Sequence, residues 1–317
     1  MTKQIGTPTQ GKEMSFISHL EELRWHLIRI SIAVLGLALA AFLAKHFVFD
    51  VLLLGPKSQE FPTYRLLCKF SNMIGIQDGF CFKEESFRIQ SRTVAGQFSA
   101  HIWTSITLGF VVAFPYILYE FWRFISPGLH INERRNSRGF IIIASLLFFT
   151  GVLFGYYVVT PLSINFLGSY QVSEQVFNDF DLSSYTSLVR TSVLASGLIF
   201  ELPILIFFLT KIGIVTPEYL RKYRKFALVI VLVLSAVITP PDIASQVIVA
   251  FPIIILYELS IIISKKVLAR QAKRRKKAKK KIETFGFNTF IINPCLNNCA
   301  VVLFSTLPFT KIIEASD

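Results

Sequence analysis

The chain has 317 residues, is 53% hydrophobic with 31 Phe, and carries a formal net charge of +13. A soluble domain of this length spreads its apolar residues in amphipathic stripes; here they fall in long, nearly unbroken blocks, as in a polytopic membrane protein. The positive excess is concentrated in one run, Lys273–Lys281, with no interleaved aromatics and no nucleic-acid fold signature, so it reads as a solvated tail facing anionic headgroups.

Residues 1–27 form an N-terminal segment. The first apolar run begins only after about 27 polar or mixed residues and is too long for a cleavable h-region, so it is expected to remain as a first span. Within the segment, Ser15–Arg24 predicts an amphipathic helix with Phe16, Leu20, Leu23 and Leu27 on one face. Ser18 and Glu21 fit a capping box. Glu22 reads either as a surface carboxylate with His26 one turn on, or as a binding group.

Six apolar segments follow, at about 28–50, 98–121, 139–161, 190–210, 226–239 and 243–263, each read as a membrane crossing. The fifth has 14 residues, about 21 Å of helix, which is short for a bilayer. Pro240-Pro241 ends it, and a tight hairpin to the sixth is expected. Pro115, Pro203 and Pro252 sit inside spans, where each removes a backbone bond and favours curvature. Segments 1–27, 122–138, 211–225 and 264–281 together hold 23 Lys and Arg, against 6 in 51–97 and 162–189. That bias places both termini in the cytoplasm, in keeping with an even number of spans.

Several charged groups stand out against this background. Glu133 follows Asn132, which can cap the third span, and an acid in a first turn also suits the helix dipole. Glu201, in Phe200-Glu201-Leu202-Pro203, lies mid-span, where a charge costs several kcal/mol unless it is protonated, paired or hydrated. Asp242 lies at the outer edge as a possible cap of span six. In the first outer loop, Cys68 and Cys81 would close a disulfide in an oxidising compartment, contributing about 3 kcal/mol in the chain-entropy model. Cys295 and Cys299 lack histidine partners and read as free thiols. No HExxH, Walker A or GxSxG motif and no clustered metal ligands are present, so neither an enzyme nor a cofactor or metal site is expected.

Taken in order, four motifs resemble the TatC family of the twin-arginine protein translocase. They are His19-Leu20-Glu21-Glu22-Leu23-Arg24, Phe124-Ile125-Ser126-Pro127-Gly128-Leu129 with Glu133-Arg134-Arg135, Phe200-Glu201-Leu202-Pro203, and Thr239-Pro240-Pro241-Asp242 with Ser245-Gln246. The match covers about residues 15–265. The resemblance implies an all-α, glove-like bundle of six helices over 28–263 in the bacterial inner membrane. It also implies a receptor for twin-arginine signal peptides of folded cargo, driven by the proton gradient. Carried over by position, Glu22 and Glu133 would contact the arginine pair, with Phe124 and Arg24 in the same patch. Glu201, with Gln246 and Asp242, would serve TatA- and TatB-type single-span partners, in a complex holding several copies of the chain. Pro56 matches a family proline after the first span; Pro127, Pro203, Pro240 and Pro241 are structural. The basic tail and extension, 264–317, have no counterpart beyond Lys281. The rival readings are a proton-coupled small-molecule transporter using Glu201 and Asp242, and a scaffold without peptide specificity.

Overall fold

The computed structural model describes residues 16–58, 60–74, 88–125, 137–173, 175, 179–238 and 243–291. The chain divides into two units after Lys265. The first contains α1 (Phe16–Leu43), α2 (Pro62–Ile74), β1 (Arg88–Gln90), α3 (Gly96–Ile125), α4 (Ser137–Phe154), α5 (Thr160–Ser169), β2 (Asp179–Asp181), α6 (Leu182–Phe200), α7 (Leu202–Ile212), α8 (Pro217–Lys222), α9 (Arg224–Ile238) and the first part of α10 (Ile243–Ile291). The second holds the basic run, which is helical within α10 rather than a loose tail.

Among the described residues, five helical stretches are long and apolar enough to cross a membrane: Leu20–Leu43, Gly96–Phe124, Ile141–Ser169, Leu182–Ile212 and Gln246–Lys273. The expected fifth span is present as α9, but its 15 residues reach only about 22 Å. It therefore falls outside this set on length. The remaining boundaries also shift, the first span running Leu20–Leu43 rather than 28–50, and two apolar runs are interrupted next to a proline.

Span three is one such case. It runs as α4, a wide turn over Gly155–Val159, and α5. Pro161 has no N–H to donate to the carbonyl of Tyr157, four residues back. The Thr63 hydroxyl donates to that carbonyl instead, so the freed acceptor is satisfied from α2. The same exchange occurs at Pro56, which is buried. It cannot donate to the carbonyl of Leu52, and the Tyr156 hydroxyl does so at 2.8 Å. The Tyr64 hydroxyl donates to the carbonyl of Pro56 at 2.9 Å, and the Tyr185 hydroxyl to that of Leu53 at 2.8 Å.

These bonds knit one end of the bundle together. A small element foreign to an all-α expectation joins them: β1 and β2 pair in parallel, Arg88 with Asp179 through Gln90 with Asp181. Three residues per strand are too few to alternate legibly in sequence. Gln90 Nε2 donates to Asp179 Oδ2 at 2.6 Å. Asp181 then caps α6 by accepting from the amide of Ser183.

Helix packing rests on small residues. A Cβ at Gly109 of α3 would lie 2.6 Å from the Ala38 amide nitrogen and 2.7 Å from the Val34 carbonyl of α1, so the two backbones approach closely there. Gly155 and Gly151 make the same approach to the Ser192 and Ser196 carbonyls of α6. Phe114 and Phe148 stack between α3 and α4 with ring centroids 3.5 Å apart. Val159, Val231, Val249, Ala250 and Ile253 form a second cluster that seats the α9–α10 hairpin. At the far end of span four, Gly213 ends α7 with φ of +90°. There the amide of Ile214 closes on the carbonyl of Leu209 at 3.0 Å.

Candidate functional site

The start of α1 and the end of α3 meet in a buried charge cluster. His26 and Glu120 are 4% and 2% exposed, and His26 Nδ1 bonds Glu120 Oε2 directly. The Tyr116 hydroxyl donates to Glu120 Oε1 at 3.1 Å, and Arg29 Nη1 lies 3.9 Å from Oε2. Helical spacing explains the arrangement: His26 and Arg29 share a face of α1, and Tyr116 lies one turn before Glu120 on α3. Both oxygens of the Glu120 carboxylate therefore have partners, which a charge buried this deeply requires.

Glu22 lies one turn before His26 on the same face. His26 bonds Glu120, so the surface pairing of Glu22 with His26 is not formed. Among the described residues, Glu22 Oε2 is buried with no hydrogen-bond partner, and the side chain as a whole is only partly covered. Phe124, one turn beyond Glu120, sets its ring edge-on to His26 at 6.0 Å. Glu22, His26, Glu120 and Phe124 thus lie at one α1–α3 junction.

Arg24 does not join them. It lies two residues from Glu22, close to the opposite side of α1, and lines a shallow groove with Leu20, Leu27 and Ile28. The resemblance put Arg24 and Phe124 in one patch; in the structure Phe124 meets His26, and Arg24 lies on a different face of α1 from His26. Glu133 and Pro127 lie outside the described residues.

At mid-bundle, Glu201 is the single residue between α6 and α7. Its amide closes α6 on the carbonyl of Leu198 at 3.1 Å, and its carbonyl starts α7 by accepting from Ile204 and Leu205, both at 3.0 Å. Pro203 is buried in the first turn of α7, where its missing N–H leaves no intrahelical donor unused. The break in span four thus falls at Glu201, whereas Pro115 and Pro252 lie within continuous helices. Glu201 Oε1 is buried and has no partner among the described residues. Gln246 is committed elsewhere, its Nε2 donating to the carbonyl of Leu232 at 3.0 Å and so bracing the α9–α10 hairpin. Arg224 and Glu258 pair across the same hairpin at 2.7 Å. Asp242, Pro240 and Pro241 lie outside the described residues. Cys68 is disulfide-bonded; Cys81 is likewise outside them.

Sequence reasoning missed Glu120 and Arg190, both charged residues within or at the edge of apolar runs. An acid in Tyr119-Glu120-Phe121-Trp122 is a signal of the same kind as Glu201. Its partner His26 lies 94 residues away, a distance that hides the pairing.

Residues 18–252 match the family model described as Sec-independent protein translocase protein (TatC). A Sec-independent protein translocase protein TatC from Blattabacterium sp. subsp. Periplaneta americana is 44% identical over 256 residues, covering 80% of this chain and 96% of that protein. The TatC of Aquifex aeolicus is 36% identical over 269 residues, 84% of this chain and 100% of that one. A crystal structure of a twin arginine translocase receptor, TatC, matches with a TM-score of 0.58 at 32% identity, covering 79% of this chain and 99% of the other. The same receptor in DDM matches with a TM-score of 0.60 at 34% identity, covering 78% and 99%.

Proposed function

The chain belongs to the TatC family, helical membrane components of Sec-independent protein translocation rather than enzymes, and from that premise we propose that it is the receptor for twin-arginine signal peptides. The observation that carries this is the buried, unpartnered oxygen of Glu22 beside a closed charge cluster. The basic side chains on its face of α1, His26 and Arg29, are engaged by Glu120. A buried acceptor without a donor costs about 1–3 kcal/mol, and more for a charged group. An incoming guanidinium supplies a charged donor in a planar fork matched to a carboxylate.

In this reading Glu22 and Glu133 each take one arginine of the pair, and Phe124 shields the contact. Arg24 contributes to signal-peptide binding from its own face of α1, in the groove with Leu20 and Leu27. The chain crosses the bacterial inner membrane six times with both termini cytoplasmic, α9 being a short fifth span. Glu201, with Asp242 and the Gln246 hairpin, forms the region where TatA- and TatB-type single-span subunits dock. The chain works in a complex with several copies of itself, and the proton gradient drives transport.

Charge exchange tests the receptor assignment. Glu22→Lys or Glu133→Lys is expected to abolish export of a twin-arginine reporter while the protein still inserts and accumulates in the membrane. Unchanged export in both variants would remove the site.

A further inference from the structure

Arg190 lies inside the fourth apolar stretch, in α6, and has no place in the reading above. It lines a cavity of about 200 Å³ whose walls are mostly apolar, among them Leu108, Val111 and Leu153, with Thr104 and Tyr157. Two of these, Leu153 and Tyr157, are 55% and 40% exposed, so the cavity opens at the surface of the bundle. Among the described residues no carboxylate pairs with Arg190; its Nε donates to the carbonyl of Thr186 at 3.1 Å. That bond folds the side chain back by one turn, toward the start of α6 and the knitted end of the bundle. Thr104 supplies a second, independent sign. It is 6% exposed, lines the same cavity, and its hydroxyl has no partner among the described residues.

An unpaired guanidinium and an unsatisfied hydroxyl at the edge of an apolar cavity ask for one molecule with an anionic head and a hydrocarbon body. A small soluble anion leaves the apolar walls uncovered, and in a zwitterionic lipid the headgroup's own cation offsets the phosphate charge that the guanidinium would meet, so a lipid of net negative charge fits best. A phosphate takes the fork of an arginine through paired charge-assisted bonds, and a lipid-facing opening meets acyl chains at high concentration. We propose that this cavity binds an anionic phospholipid, with its phosphate on Arg190 and Thr104 and an acyl chain against Leu108, Val111 and Leu153. The proposal is independent of the receptor assignment.

The test uses the full chain in phosphatidylcholine nanodiscs doped with phosphatidylglycerol or phosphatidylcholine carrying a photoreactive acyl chain. Crosslinked positions are then mapped by mass spectrometry. Phosphatidylglycerol is expected to label Leu108, Val111 or Leu153 roughly tenfold more than phosphatidylcholine, the scale of one charge-assisted contact. Arg190→Gln should bring that labelling down to the phosphatidylcholine level. Labelling around Lys273–Lys281 should be unchanged, which separates this site from the basic run. Thr104→Val should lower cavity labelling in part, and Arg190→Lys, which keeps the charge but loses the fork, should leave labelling between the wild-type and phosphatidylcholine levels; these two keep the test decisive if Arg190→Gln does not insert. Equal labelling by the two lipids, no labelling of the cavity, or labelling indifferent to both Arg190→Gln and Thr104→Val would overturn the proposal.

Discussion

The side chains at the α1–α3 junction divide into a closed set and an open one. Glu120 has a partner on each oxygen, from His26, Arg29 and Tyr116. Removing one member of a buried pair strands the other, at about 3–5 kcal/mol. His26→Ala and Glu120→Ala are therefore expected each to lower the thermal stability of the purified protein sharply. The double change to Leu at both positions should recover much of that loss, because well-packed apolar replacements of a buried pair are often neutral. Equal destabilisation by the single and double variants would contradict the pairing. Glu22 belongs to the open set: Glu22→Gln should leave stability nearly unchanged and weaken signal-peptide binding by roughly tenfold, about 1.4 kcal/mol. Arg24→Ala, on the far side of α1, should weaken it less. Glu22 was legible from its place in a motif before an apolar run. Glu120 was not, because its meaning depends on a histidine that only the fold brings near.

Elements in this molecule are shaped by prolines and glycines as much as by hydrophobic length. Pro56 and Pro161 each free a carbonyl four residues back, and a tyrosine or threonine hydroxyl from another element takes it. Apolar blocks announced the long helices, but the partners of these freed carbonyls lie 94 to 104 residues away and leave no local pattern. Pro203 alone marked its break, since a proline in a first helical turn carries its own signature. The close approach at Gly109 was silent in sequence for the same reason: a lone glycine in an apolar run does not say which backbone it faces. Gly109→Leu is expected to push α1 from α3, since even a Cβ meets backbone atoms at 2.6–2.8 Å. Overpacking of this kind costs about 1–3 kcal/mol or more. Limited proteolysis of the reconstituted protein should show faster cleavage near α1, and unchanged protection would argue against the contact. Gly139, with nothing near its Cβ position, is the matched control.

For the whole molecule, the proposed function depends on which end of the bundle faces the cytoplasm. In the proposed orientation, drawn from the Lys and Arg bias, the α1–α3 junction faces the cytoplasm and the knitted, β-paired end the outside. That orientation requires α9 to complete a crossing despite its 15 residues. Single cysteines at Lys3 and Lys276, in a background freed of native thiols, are expected to react with an impermeant maleimide only from the cytoplasmic side. Labelling on opposite sides would mean an odd number of spans. Glu201→Ala should leave signal-peptide crosslinking intact and reduce recovery of TatA- and TatB-type partners; loss of both would indicate misfolding instead. The most direct measurement is equilibrium binding of a twin-arginine signal peptide and its twin-lysine counterpart to the reconstituted protein, with and without Glu22→Gln. Wild type is expected to prefer the arginine peptide by about tenfold, as where a bidentate fork meets a carboxylate, and Glu22→Gln to remove most of this preference. An arginine preference that survives Glu22→Gln undiminished would contradict the role proposed for Glu22.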